Sequence, residues 1–227
     1  MRTPNAPIAL LACGALARDV VEVVRRCGWP VDVYGIAALH HLAPPRIVAD
    51  VDAKLAELST RYARIVVVYG DCGTNGKLDE VLARYPAVRP AGVHCYAWFA
   101  EADYERLVSE QIGTFFLTDW LVRNWSSAVT RGLGLDRFPW LKETYFRHMT
   151  RLLYLRQRPD PTLESAARAI AVELSLPLEI RDTGTGPLER VLDALVRTAL
   201  DDAADHASAL PDAPGGGVDD ADAALAP

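Results

Sequence analysis

Three of the four cysteines stand where an apolar, strand-like run gives way to a turn. The runs are Ile8-Ala9-Leu10-Leu11-Ala12-Cys13-Gly14, Ile65-Val66-Val67-Val68-Tyr69-Gly70-Asp71-Cys72-Gly73 and Ala91-Gly92-Val93-His94-Cys95-Tyr96. If these runs are parallel strands, the three sulfurs lie at the carboxyl edge of one sheet, where open α/β folds place their ligands. Bends with exposed amides, and the helix start expected after Cys13, favour thiolate over thiol. Thiolates are soft donors suited to zinc, copper(I) or an iron–sulfur cluster. Three of them leave a fourth position for another side chain or for substrate. Cys27, at a helix end beside Trp29, reads instead as a small packed hydrophobe.

Histidine is the natural fourth donor. His94 adjoins Cys95, but neighbours on a strand face opposite sides, so the two share an ion only if the strand has already ended. His40 and His41, on a loop after the second strand, are the alternatives. The expected metal set is therefore Cys13, Cys72 and Cys95, with His94 or His40 as fourth ligand or proton carrier. Tyr69, Gly70, Gly73, Tyr96, Asp119 and Trp120 flank these positions and are expected to line the cofactor or substrate space. The segment from Gly70 to Lys77 follows a strand and opens a helix. It departs from a phosphate loop because Leu78 stands where Ser or Thr should follow Gly-Lys. A glycine-rich turn that lets backbone amides approach the site fits it better. Arg147, His148 and Arg151 read as a solvated face.

The elements that must position these residues alternate in the first half. Strands are expected at Pro7–Ala12, Val31–Ile36, Arg64–Tyr69, Ala91–Cys95 and Thr114–Leu117. Helices are expected at Gly14–Arg26, Ile47–Tyr62, Lys77–Arg84 and Phe99–Ser109, with Pro44 and Pro45 in a loop. Such alternation predicts an α/β fold, a mostly parallel Rossmann-like sheet with helices on both faces. The second half reads as largely helical, at Asp119–Thr130, Leu141–Arg156, Thr162–Leu174 and Leu188–Leu200, with a short strand at Leu178–Ile180. One α/β domain over residues 1–200 is expected, strand-rich over 7–118 and helix-rich over 119–200. From Asp201 the chain is Asp, Ala, Pro and Gly, and residues 201–227 read as a disordered acidic tail.

Composition removes several classes of function. The net charge is −6, yet the stretch from Asp201 onward carries seven Asp and no Lys or Arg, so the body is near neutral. A near-neutral body has no electrostatic footprint for nucleic acid. No segment reaches the length of a membrane span, and the first apolar run is too short for a secretory signal. The expected compartment is the reducing cytoplasm, where a few scattered cysteines point to metal binding or catalysis rather than disulfides.

At Ala12-Cys13-Gly14-Ala15-Leu16, Tyr69-Gly70-Asp71-Cys72-Gly73, His94-Cys95-Tyr96, Phe116-Leu117-Thr118-Asp119-Trp120 and Gly134-Leu135-Asp136 the chain resembles the family called domain of unknown function 1638. The resemblance spans roughly residues 7–197. It implies a single cytoplasmic α/β domain with the cysteine triplet as its site, and it carries no assigned reaction. Some members are associated with corrinoid methyl-transfer systems. Three readings stay open: a zinc or iron–sulfur protein acting on a small sulfur- or methyl-bearing substrate, a metal-free thiol enzyme, or a non-catalytic accessory protein. Oligomeric state is open too, a homo-oligomer included.

Overall fold

The computed structural model of the chain describes residues 6–209. Its elements are β1 (Ile8–Cys13), α1 (Ala17–Cys27), β2 (Val31–Ile36), α2 (Pro44–Leu58), β3 (Arg64–Val68), α3 (Lys77–Leu82), β4 (Ala87–Val88), α4 (Cys95–Ala100) and α5 (Tyr104–Glu110). There follow β5 (Thr114–Thr118), α6 (Asp119–Arg123), α7 (Leu141–Phe146), β6 (Arg151–Arg156), α8 (Pro161–Leu174), β7 (Leu178–Asp182) and α9 (Gly186–Ala209). The fold is mixed α/β, as expected, but the strands form two parallel sheets rather than one. The first has the order β2-β1-β3-β4 and the second β5-β6-β7.

The division falls where a strand was expected at Ala91–Cys95. That backbone is irregular, and its carbonyls serve a neighbouring loop instead of a ladder. Gly92 O accepts from Asp71 N (3.1 Å) and Val93 O from Cys72 N (2.8 Å). Gly92 has φ +136°, and an added Cβ there would stand 2.7 Å from Trp98 Nε1.

Both sheets are buried deeply enough to explain their continuous apolar runs. Every residue of β1 is buried. In the second sheet, Phe116, Leu153 and Leu155 join the core of the first sheet. Their neighbours Leu117, Leu152 and Tyr154 join a separate core with α6 and α8. The strand period of two thus feeds two cores from one sheet. This is why β6, expected to be the end of a helix over Leu141–Arg156, is a strand, and why only α7 within that span is helical.

Local chemistry sets the helix ends. Prolines 44 and 45 occupy the first turn of α2, where a missing amide costs nothing. Asp160 caps α8 by accepting from Thr162 N and Leu163 N. The expected helix at Asp119–Thr130 is two pieces, α6 and a π-helical turn at Ser126–Thr130. The last helix passes the expected boundary at residue 200. Leu188, Leu192, Val196, Ala199 and Ala203 are buried along one face of α9 in the core of the first sheet, and Arg64 Nε binds Asp202 at 2.9 Å. Residues 201–209 therefore belong to the fold, and the rest of the expected tail, 210–227, lies outside the described residues.

Candidate thiol and imidazole site

The site begins with a close approach at the ends of β1 and β2. Gly14 N donates to Ile36 O at 2.8 Å. A Cβ on Gly14 would lie 2.7 Å from that oxygen and 2.9 Å from Ala38 N. Only glycine lets the chain leave β1 here, and the same contact anchors the 3-10 turn Ala38–Leu42 over the strand ends. That turn sets His41 against Cys13. The Cys13 sulfur lies 4.0 Å from His41 Nδ1 and 3.9 Å from Nε2. His41 Nδ1 is 2.7 Å from Ala38 O, so Nδ1–H donates to that carbonyl and leaves Nε2 to the thiols. The imidazole also stacks on Tyr69, with centroids 6.0 Å apart. Ala15 N donates to the Cys13 sulfur at 3.4 Å.

Cys72 reaches the same place from the loop after β3. Its φ of 49° lies in the left-handed region, an uncommon state for a residue with a side chain. The loop is tied by Asp71, whose carboxylate accepts from Asn75 N (2.9 Å), Gly76 N (2.9 Å) and Thr74 Oγ1 (3.1 Å). Those donors, the Gly76 amide foremost, hold the Asp71 carboxyl below the usual carboxylate range. Cys95 opens α4 rather than ending a strand, so His94 and Cys95 both reach the pocket described below.

Burial pulls the His41 pKa down, but contacts with Cys13 and Cys72 outweigh it and hold it well above the ordinary imidazole range. Desolvation pushes the Cys95 thiol well up and pulls the His94 imidazole down. Burial first, then Cys13, raises the Tyr69 phenol, and among the described residues the Tyr69 hydroxyl is buried without a hydrogen-bond partner.

A cavity of about 270 Å³ opens beside this cluster, with His41, Cys72, Cys95 and His94 along its wall. Cys13 is buried behind them, 3% exposed. Of the other expected residues, Tyr96 and Trp120 also line the cavity. Tyr69 backs His41. Gly73 has φ +82°. Gly70 is the crossing point of two loops, where a Cβ would stand 2.5 Å from His94 Cα. Gly70→Ala must therefore push these loops apart. We expect a loss of about 1–3 kcal/mol in urea denaturation; wild-type stability would refute the crossing.

Two expected residues face other tasks. His40 Nδ1 lies 2.6 Å from the Asp50 carboxylate, whereas His41, its neighbour, meets the thiols. A 3-10 turn rotates adjacent side chains by about a third of a turn, so one of the two can face the site and the other cannot. Asp119 is buried at 3% exposure and does not line the cavity. It accepts from Tyr154 Oη (2.8 Å), Gln157 N (3.1 Å) and Arg158 N (3.0 Å). Its role is to hold the second sheet together. The His40-His41 pair carried the signal, but the expectation fell on His40, and it is His41 that meets the thiols.

The donor chemistry suits a soft ion. Among the described residues, however, no group of three or more His, Cys, Asp or Glu side chains is placed to hold a metal. What the geometry presents is a sulfur–imidazole contact with two further thiols, Cys72 and Cys95, at the cavity wall. An α/β fold with such a site at the strand ends defines the class. The chain belongs to the family DUF1638, described as a protein of unknown function, whose model matches residues 36–192. The match contains His41, Cys72, Cys95 and Trp120; Cys13 precedes it. No curated protein matches the chain, and no solved structure does. No helix among the described residues is long and apolar enough to cross a membrane.

Proposed function

We propose that the protein carries out thiol chemistry, with Cys72 as nucleophile, His41 as the imidazolium that holds its proton and Cys13 as a buried second thiol. The observation that carries this reading is the contact of His41 with the Cys13 sulfur at 3.9 Å, made at a cavity wall that also holds Cys72. A nucleophile, a base within reach and a third group that orients the base form the usual pattern for an activated nucleophile. Here Ala38 O is the orienting group. The Cys72 sulfur forms a bond to an electrophilic sulfur or an activated methyl carbon. As that bond forms, the bond from the attacked atom to the departing group breaks, and the proton already held by His41 passes to the departing group, so charge and atoms balance. Cys95, kept neutral by its surroundings, is the poorer nucleophile.

A second reading keeps a metal, zinc or an iron–sulfur cluster. It is favoured by the tie of His41 Nδ1 to Ala38 O, the support that ligating histidines usually have. Sulfur and nitrogen ligands on tetrahedral zinc stand about 3.5 Å apart, close to the Cys13–His41 separation. Cys72 and Cys95 would both have to turn inward to complete it.

The test is metal and acid-labile sulfide analysis on protein purified without oxygen or chelator, followed by iodoacetamide and peptide mapping at neutral pH. Metal-free protein with one fast modification, at Cys72, is the expected result. Stoichiometric zinc or iron with all three cysteines protected would overturn the thiol reading in favour of the metal. Uniformly slow modification of metal-free protein would leave the cysteines inert and the protein a non-catalytic one.

A further inference from the structure

The two sheets divide the cavity between them. The first supplies the reactive side, with His41, Cys72 and Cys95. The second supplies Thr118, Trp120, Leu121 and Ala128. Gly132 secures the seam: an added Cβ would stand 2.7 Å from Leu42 Cδ1, so Leu42 of the first half seats directly against the second. Ala128 sits in the π-helical turn, an irregularity often found at functional sites. Its short side chain leaves the cavity open. Among the described residues no Asp, Glu, Lys or Arg lines the cavity, and the one cationic group on its wall, His41, is already taken up by Cys13 and Cys72, so little is left to offset the desolvation of a carboxylate or phosphate. Its walls are instead apolar and aromatic, with Tyr96 stacked on Phe116 at 5.4 Å and Trp120 opposite the thiols' own half of the chain.

Resting on the thiol reading above, we propose that the substrate is a small uncharged molecule whose apolar, aryl-sized body is read by the second sheet's Trp120 while its electrophilic atom meets Cys72. Trp120 is thus a specificity determinant. Specific recognition by apolar walls with few polar groups is the common form of small-molecule sites.

The test compares alkylation of Cys72 by N-benzyl iodoacetamide and by iodoacetamide, each rate divided by its rate with N-acetylcysteine. Removing roughly 60 Å² of the probe's apolar surface from water should favour the benzyl reagent about tenfold. Trp120→Ala should bring the ratio towards one. Leu39 is 44% exposed and also lines the cavity, so Leu39→Asp is a variant that should fold, and it should lower the ratio too. A wild-type ratio near one, or a raised ratio that both variants keep, would overturn the inference while leaving the thiol reading intact. Slow alkylation of Cys72 by both reagents would instead sink the thiol reading itself.

Discussion

Replacing His41 with Ala should slow iodoacetamide modification of Cys72 at neutral pH by about a hundredfold, the lower range of what a positioned base contributes. His41 touches the Cys13 sulfur and sits at the cavity wall with Cys72, so its loss removes the imidazole that meets these thiols. A pH profile separates this from a merely structural effect. In the variant, the rate should rise only as an ordinary thiol ionises, near about 8.5. In the wild type the rate should already be high below that. Matching profiles would refute the role. Stability should carry a signature of the same contact. The His41 pKa is raised in the folded protein. Its contribution is therefore fully present below the unfolded imidazole value, about 6.5, and fades as pH rises towards the folded one. His41→Ala should lose this dependence.

Asp119→Ala should be the most destabilising of these substitutions, by about 3–5 kcal/mol. The carboxylate receives the Tyr154 hydroxyl and two backbone amides. Truncation would strand these buried donors without water. It would also remove one anchor of Arg158, whose guanidinium lies 3.8 Å from Asp119 and reaches across to α1, with Nη1 2.7 Å from Asp19 and Nε 2.8 Å from Glu22. Burial raises the Asp19 pKa in spite of this cation. Glu22 in turn accepts from Thr185 Oγ1 at 3.2 Å, and Arg26 Nε reaches Glu189 on α9 at 2.9 Å. One network therefore ties both sheets to the last helix. Tyr154→Phe, which deletes a single donor, should cost only about 1 kcal/mol. Urea denaturation of both variants checks the contrast; a loss below 1 kcal/mol for Asp119→Ala would show that the buried network is dispensable.

Much of this architecture could be read from the residues alone. The apolar runs at Ile8–Cys13 and Arg64–Val68 are strands because nothing but a doubly buried strand suits six or five such residues between turns. The run Arg151-Leu-Leu-Tyr-Leu-Arg156 has the same character, but it follows a helical pattern without a break, and periodicity cannot separate a short apolar strand from a buried helix. The convergence of Cys72 and Cys95 followed from their expected places at strand ends. Its actual cause is different: the carbonyls of Gly92 and Val93 take the amides of Asp71 and Cys72, a long-range pairing with no local signature. Asp119 beside Trp120 looked like part of the pocket because only tertiary structure reveals that one side chain turns to Tyr154 and the other to the cavity.

The buried face of α9 has a consequence for synthesis. Leu188, Leu192, Val196, Ala199 and Ala203 complete a core whose strands begin at Ile8. During translation the second sheet's strands all emerge before the first sheet can be finished. The earliest-made half of the protein must therefore wait on the ribosome with apolar surface uncovered until α9 has emerged. Such a chain should depend on chaperone capture more than its size suggests.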